Sequence, residues 1–306
     1  MRLLAIWALL ALSAAPFAAQ SPSLAGRMKD LAFGRRRAEA LQLIEESRPE
    51  GWQRDPAFLE ALSWMARGAS FAQDWETAEK YAHQCYEASL GLALDGGADS
   101  SPALATALGA SVEVLGQALA GRGERAAAID FLGREREAWA GTSIETRIQK
   151  NYLLLGLEGR PMPSFEIERY IGAEQPVDAA GQVALFYFWA HWCADCKAQK
   201  PSLLRLHERY AAQGLRIIGP TRLYGYYGDR TQVPPAEEIA YIEGPWQAEH
   251  PLPDWMPKPL TNQGFVDFGV STTPTLVLVD RQGVVSLYHP GQMSYEELEK
   301  AIRPLL

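Results

Sequence analysis

The run Val183-Ala184-Leu185-Phe186-Tyr187-Phe188-Trp189-Ala190-His191-Trp192-Cys193-Ala194-Asp195-Cys196-Lys197 decides the reading of this chain. Its first seven residues show no alternation of apolar and polar side chains. A strand with one wet face alternates, so an unbroken apolar run predicts a strand covered on both faces, as in a central parallel pairing. Helix-forming residues follow, and we expect a helix over about 194–213. Cys193 then sits at a helix N-terminus, where unpaired N–H groups and the positive end of the macrodipole favour a thiolate. Cys196 lies one turn on, within reach of a mixed disulfide formed at Cys193. The pattern assigns Cys193 as nucleophile and Cys196 as resolving thiol.

Two other chemistries share this spacing. A tetrahedral zinc site needs four ligands. Cys85 and the histidines His83, His191, His207, His250 and His289 offer no second pair at ligand spacing in this half of the chain. A purely structural disulfide would close a very short loop and gain little chain entropy. We therefore expect neither a metal nor another cofactor.

Moving outward, Leu215 to Gly219 reads as a second strand and 233–244 as a helix opening at Pro234-Pro235. Thr275–Val279 and Val284–Tyr288 read as a hairpin around Asp280-Arg281-Gln282-Gly283. A closing helix follows to Leu306, with Ser294 and Glu297 at capping-box spacing. Strands alternating with helices predict an α/β domain beginning near Pro161-Met162-Pro163.

Phe188-Trp189-Ala190-His191-Trp192-Cys193-x-x-Cys196 resembles the active-site signature of the thioredoxin superfamily. Pro201 matches the proline that kinks the family's active-site helix. Thr273-Pro274-Thr275 resembles its cis-proline loop, with an ordinary trans proline at a strand start as the alternative. Together with the N-terminus, residues 161–306 are most similar to the TlpA/ResA-type branch of periplasmic thiol-disulfide oxidoreductases. The resemblance implies protein dithiol or disulfide clients, a membrane electron donor, and a reducing role. It also implies substrate contacts at Trp192, Thr273 and Pro274.

The chain departs from that pattern. The buried acid often found six residues before the first cysteine is replaced by Tyr187, and the Glu often found three after the second by Gln199. Asp195 between the cysteines disfavours a thiolate by like-charge repulsion, which Lys197 and His191 could offset. Asp195 is either a substitute proton carrier or a solvated bystander. The stretch 220–262 is rich in Pro, Tyr and Trp, and reads as a substrate groove or a packed insertion.

Upstream, Ala, Leu, Glu and Arg recur at helical spacing. We expect helices near 24–47, 56–71, 74–92, 102–121, 123–139 and 143–156. Ala66 and Ala78 sit twelve apart across one turn, and Gly116 and Ala128 repeat the spacing. This resembles degenerate tetratricopeptide repeats; a plain helical bundle is the alternative. Cys85 reads as a small buried hydrophobe.

Arg2, the apolar run Leu3–Leu12 and the small residues to Ala19 read as an export signal, with an uncleaved anchor as the alternative. The expected organisation is a signal peptide at 1–19, a tetratricopeptide-like helical domain at 20–158 and a thioredoxin-like domain at 159–306, an α plus α/β class. The protein would be exported to the periplasm. A net charge of −8 repels phosphate backbones and excludes nucleic acid as a partner. The alternative function is a partner-binding helical-repeat protein whose thioredoxin domain is redox-silent or weakly active.

Overall fold

A computed structural model describes residues 23–34, 36–164, 166–177 and 180–306. The expected signal peptide lies outside the described residues.

The N-terminal half is helical: α1 (Leu24–Phe33), α2 (Arg37–Glu46), α3 (Pro56–Phe71), α4 (Trp75–Gly96), α5 (Pro102–Gly121), α6 (Arg125–Ala138) and α7 (Glu145–Gly156). The single helix expected over 24–47 is two. Gly34 ends the first by donating its N–H to Asp30 O, and Arg36 N–H reaches Leu31 O, so the last carbonyls are satisfied while the chain turns. Asp55 and Ser101 accept backbone N–H groups at the starts of α3 and α5, each followed by proline in the first turn. Helix α4 runs to Gly96, past the expected 92.

By length and composition α5 could cross a membrane. Here it is the core helix of the bundle, with Leu104, Leu108, Val112 and Leu115 buried. Small residues let its neighbours close in, and a Cβ on Gly116 would lie 2.8 Å from a Leu132 methyl carbon. Cys85 is fully buried on α4, its Sγ 3.4 Å from Leu59 O and 3.5 Å from Ala107 O. Burial pushes its thiol up to about 12.

The C-terminal half contains β1 (Arg169–Tyr170), β2 (Val183–Phe188), α8 (Ala194–Tyr210), β3 (Leu215–Ile218), β4 (Tyr226–Tyr227) and β5 (Arg230–Thr231). It continues through α9 (Pro235–Tyr241), α10 (Gln247–Glu249), β6 (Pro259–Leu260), α11 (Asn262–Asp267), β7 (Thr275–Val279), β8 (Val285–Pro290) and α12 (Tyr295–Ile302). The main sheet has the order β3-β2-β7-β8. Strand β2 is central, as its sequence implies, but it is parallel only to β3; β7 lies antiparallel on its other side. The expected hairpin is β7–β8, and Ser294 with Glu297 forms the capping box.

Strand β2 does not alternate because both faces are covered. Val183, Leu185 and Tyr187 face a core containing Leu203 and Leu206 of α8 and Leu298 and Ile302 of α12. Ala184, Phe186 and Phe188 share the opposite core with Phe265, Phe268 and, from the helical half, Leu153 and Leu157. Helix α7 thus closes one side of the sheet. Glu158 adds a polar tie, accepting the N–H of Tyr288 at 2.9 Å.

Candidate active site

The sheet delivers the end of β2 to the start of α8, where Cys193 and Cys196 form a disulfide with Cα atoms 5.2 Å apart. Cys193 is the N-cap of α8, and its Sγ accepts the Cys196 N–H at 3.0 Å. That bond and the helix terminus are the groups that stabilise negative charge on this sulfur when the pair is reduced. Across the site, the Thr273–Pro274 peptide is cis, and Thr273 O lies 3.2 Å from Cys193 Sγ. Cys193 and Cys196 are nearly covered, whereas Trp192 is 46% exposed and forms the visible rim.

Tyr187 and Gln199 are both buried and neutral at the positions where relatives often carry acids. Tyr187 OH donates to Cys196 O at 2.8 Å, and burial pushes the phenol up. Gln199 spans the chain before α12: its Nε2 donates to Met293 O at 3.0 Å and its Oε1 accepts Met293 N–H at 2.9 Å. A carboxylate can only accept, so an amide is the group this two-way bond requires.

The remaining candidates separate. Asp195 is exposed, and its backbone carbonyl accepts from Gln292 Nε2 at 2.7 Å. Lys197 is half-buried. His191 is turned into the protein, where its Nε2 lies 3.1 Å from Glu238 Oε1. Burial, the largest influence, holds the imidazole below its ordinary range despite the attraction of Glu238. A neutral ring facing a carboxylate through Nε2 carries its proton there.

Glu238 was not visible from sequence, since its partners come from distant segments. Its carboxylate also accepts the N–H groups of Tyr224 at 2.8 Å and Gly225 at 2.7 Å. These bonds pin the Tyr-rich stretch beside the disulfide. The Tyr224 ring meets Trp192 edge-on at 5.3 Å, and Tyr226 stacks over it at 6.3 Å. A wide π-helical turn at Ile242–Trp246 accommodates Pro245, which lacks an N–H, and aims Trp246 inward. There Trp246 Nε1 donates to His191 O at 2.7 Å and its ring stacks on Trp189 at 4.9 Å. The stretch 220–262 is thus both packed insertion and active-site wall.

A four-stranded sheet, a cysteine pair at the N-terminus of α8 and a facing cis-proline define a thioredoxin-like domain with a dithiol/disulfide centre. Residues 173–305 match the family described as a thioredoxin-like domain. Over this half, the chain is similar to thiol:disulfide interchange proteins. The Yersinia pestis thiol:disulfide interchange protein DsbE is 29% identical over 153 residues, 49% of this chain and 72% of its own length. The Rhodobacter capsulatus protein HelX is 28% identical over 167 residues, 51% of this chain and 81% of its own. The solved StoA from Bacillus subtilis is 18% identical, aligned over 47% of this chain and 100% of its own, with a TM-score of 0.37.

Proposed function

We propose that this protein is an exported protein-disulfide reductase acting through Cys193 and Cys196. The observation that carries the reading is the cysteine pair at the N-terminus of α8, with Cys193 Sγ 3.2 Å from the carbonyl preceding cis-Pro274. In the reduced protein, the Cys193 thiolate attacks one sulfur of a client disulfide. A Cys193–client bond forms, and the other client sulfur leaves as a thiolate that takes a proton. The Cys196 thiolate then attacks Cys193 Sγ and releases the second client thiol. The client gains two electrons and two protons, and the protein ends in the oxidised form seen here.

Trp192, Thr273 and Pro274 border the sulfur that meets the client and serve as its contact surface. Asp195 and Lys197 tune the reduced pair from outside, whereas His191 holds the aromatic wall in place. A membrane reductant returns the electrons. The helical domain, a tetratricopeptide-like unit at 20–158, docks a client or positions the domain at 159–306. The apolar N-terminal segment supports export to the periplasm.

Cys193→Ser abolishes dithiol–disulfide exchange, and Cys196→Ser accumulates client mixed disulfides. Equal exchange by Cys193→Ser and the unaltered protein overturns the assignment. Equilibration of the pair with glutathione decides direction: a strongly reducing potential supports a reductase and a high one an oxidase.

A further inference from the structure

A cleft of about 480 Å³ lies between the helical bundle and the thioredoxin-like domain. Its charged lining is uneven. Arg67 of α3 and Arg147 and Lys150 of α7 face it with one carboxylate, Glu113 of α5. Glu113 is shared between two guanidiniums at long range: Arg67 Nε and Arg147 Nε each lie 3.8 Å from it. Arg147 Nη1 is buried without a hydrogen-bond partner. Lys150 forms no hydrogen bond or close ion pair among the described residues. Its ammonium is disfavoured by burial and by the charges of Arg222 and Arg147. Holding half-buried cations together with too few counter-charges costs stability unless something else pairs them.

Part of the cleft's lining comes from the segments that flank the reactive sulfur. Ser271 and Pro290 line it. Ser271 is two residues from Thr273, whose carbonyl touches Cys193, and Pro290 is paired with Thr275 in the β7–β8 ladder. Arg222 extends the positive charge toward the aromatic wall, its guanidinium 5.3 Å from the Tyr224 ring that packs on Trp192. This concentration of cations stands out in a chain of net charge −8.

We propose that this interdomain cleft binds the carboxylates of an acidic segment in the polypeptide whose sulfur reacts at Cys193. The inference rests on the thiol–disulfide reading and narrows its substrate class to clients with Asp or Glu flanking the reactive cysteine. Arg147 supplies a planar fork for bidentate pairing with a carboxylate, and beside it Lys150 supplies a charge without a hydrogen-bond partner among the described residues.

The test has a binding arm free of sulfur chemistry. Two labelled peptides, one Glu-rich and one with Gln at the same positions, carry Ser in place of Cys. They are titrated into the full-length oxidised protein at low salt and followed by anisotropy. The Glu peptide binds about tenfold more tightly. That advantage falls to about threefold or less in Lys150→Gln and in Arg147→Gln, persists in Lys150→Arg, and fades as salt rises. Equal binding of both peptides, or an advantage untouched by Lys150→Gln, overturns the proposal. Among the described residues Lys150 makes no hydrogen bond and feels Glu113 only at a distance, so Lys150→Gln breaks no bonded pair and decides even if Arg147→Gln does not fold.

In the second arm, the reduced protein reacts with disulfide forms of the same two peptides, and the ratio of rates follows the binding advantage. A binding preference with no rate preference also overturns the proposal, because it separates the cleft from the reacting sulfur. Failure of the reduced protein to react with bis(2-hydroxyethyl) disulfide refutes the thiol–disulfide reading separately.

Discussion

At the scale of single residues, the two positions where an acid is missing have found other work. Gln199 braces the turn into α12 by donating and accepting at Met293. Gln199→Glu loses the donor and faces a carboxylate with a carbonyl, so it should cost about 1–3 kcal/mol at neutral pH. Urea unfolding checks this, and an unchanged midpoint refutes the bracing role. Sequence could reveal that the acid was absent, but not why an amide stands there, because Met293 is 94 residues away. Glu238 was illegible for the same reason. The cysteine pair was legible because spacing, the preceding strand and the helix start all lie within one short run.

His191 gives a signed pH dependence. Its folded pKa is depressed by burial. In acid the unfolded chain therefore binds a proton that the folded chain refuses. Its contribution is fully present above about pH 6.5 and is lost as pH falls below that value, by at most about 1.4 kcal/mol per pH unit. Denaturation near pH 7 and near pH 5 should show the loss, and His191→Gln, which keeps a donor for Glu238, should show less of it. An equal slope in both proteins would falsify the assignment to His191.

At the scale of elements, close helix approach decides the sign of a substitution. Glycine inside a helix normally costs roughly 1 kcal/mol relative to alanine. Gly68 is the reverse case: a Cβ there would stand 2.5 Å from Ala32 Cβ and 3.1 Å from the Ala32 backbone, where α1 crosses α3. Gly68→Ala should lower stability by about 1–3 kcal/mol through overpacking, read as a drop in thermal midpoint; a rise would mean α1 can move aside. Helix positions themselves were legible from periodicity over 56–71 and 102–121. The break between α1 and α2 was not, because Gly34 acts through the turn bonds it allows and leaves the apolar period intact. The antiparallel partner of β2 was also hidden, since an apolar run reports covered faces and says nothing of a neighbour's direction.

At the scale of the whole molecule, the sheet borrows part of its cover from the bundle. Leu157 is 2% exposed within the core shared with Phe186 and Phe268. Leu157→Ala should cost about 2–5 kcal/mol and lower the midpoint of bundle and sheet together, seen as one displaced transition in calorimetry. Two separate transitions, with only the bundle's displaced, would show that the halves stand independently.

The third sulfur carries a last consequence. While the chain is folded, Cys85 is walled in by α3 and α5 and keeps its proton, so native thiol counting after reduction should find two groups and denaturant should reveal a third. Once the bundle opens under oxidising conditions, that quiet atom becomes a competitor able to capture either active-site partner. Refolding of the oxidised chain from denaturant should therefore yield some mispaired species, and Cys85→Ala should yield none; equal mispairing in both would refute the competition.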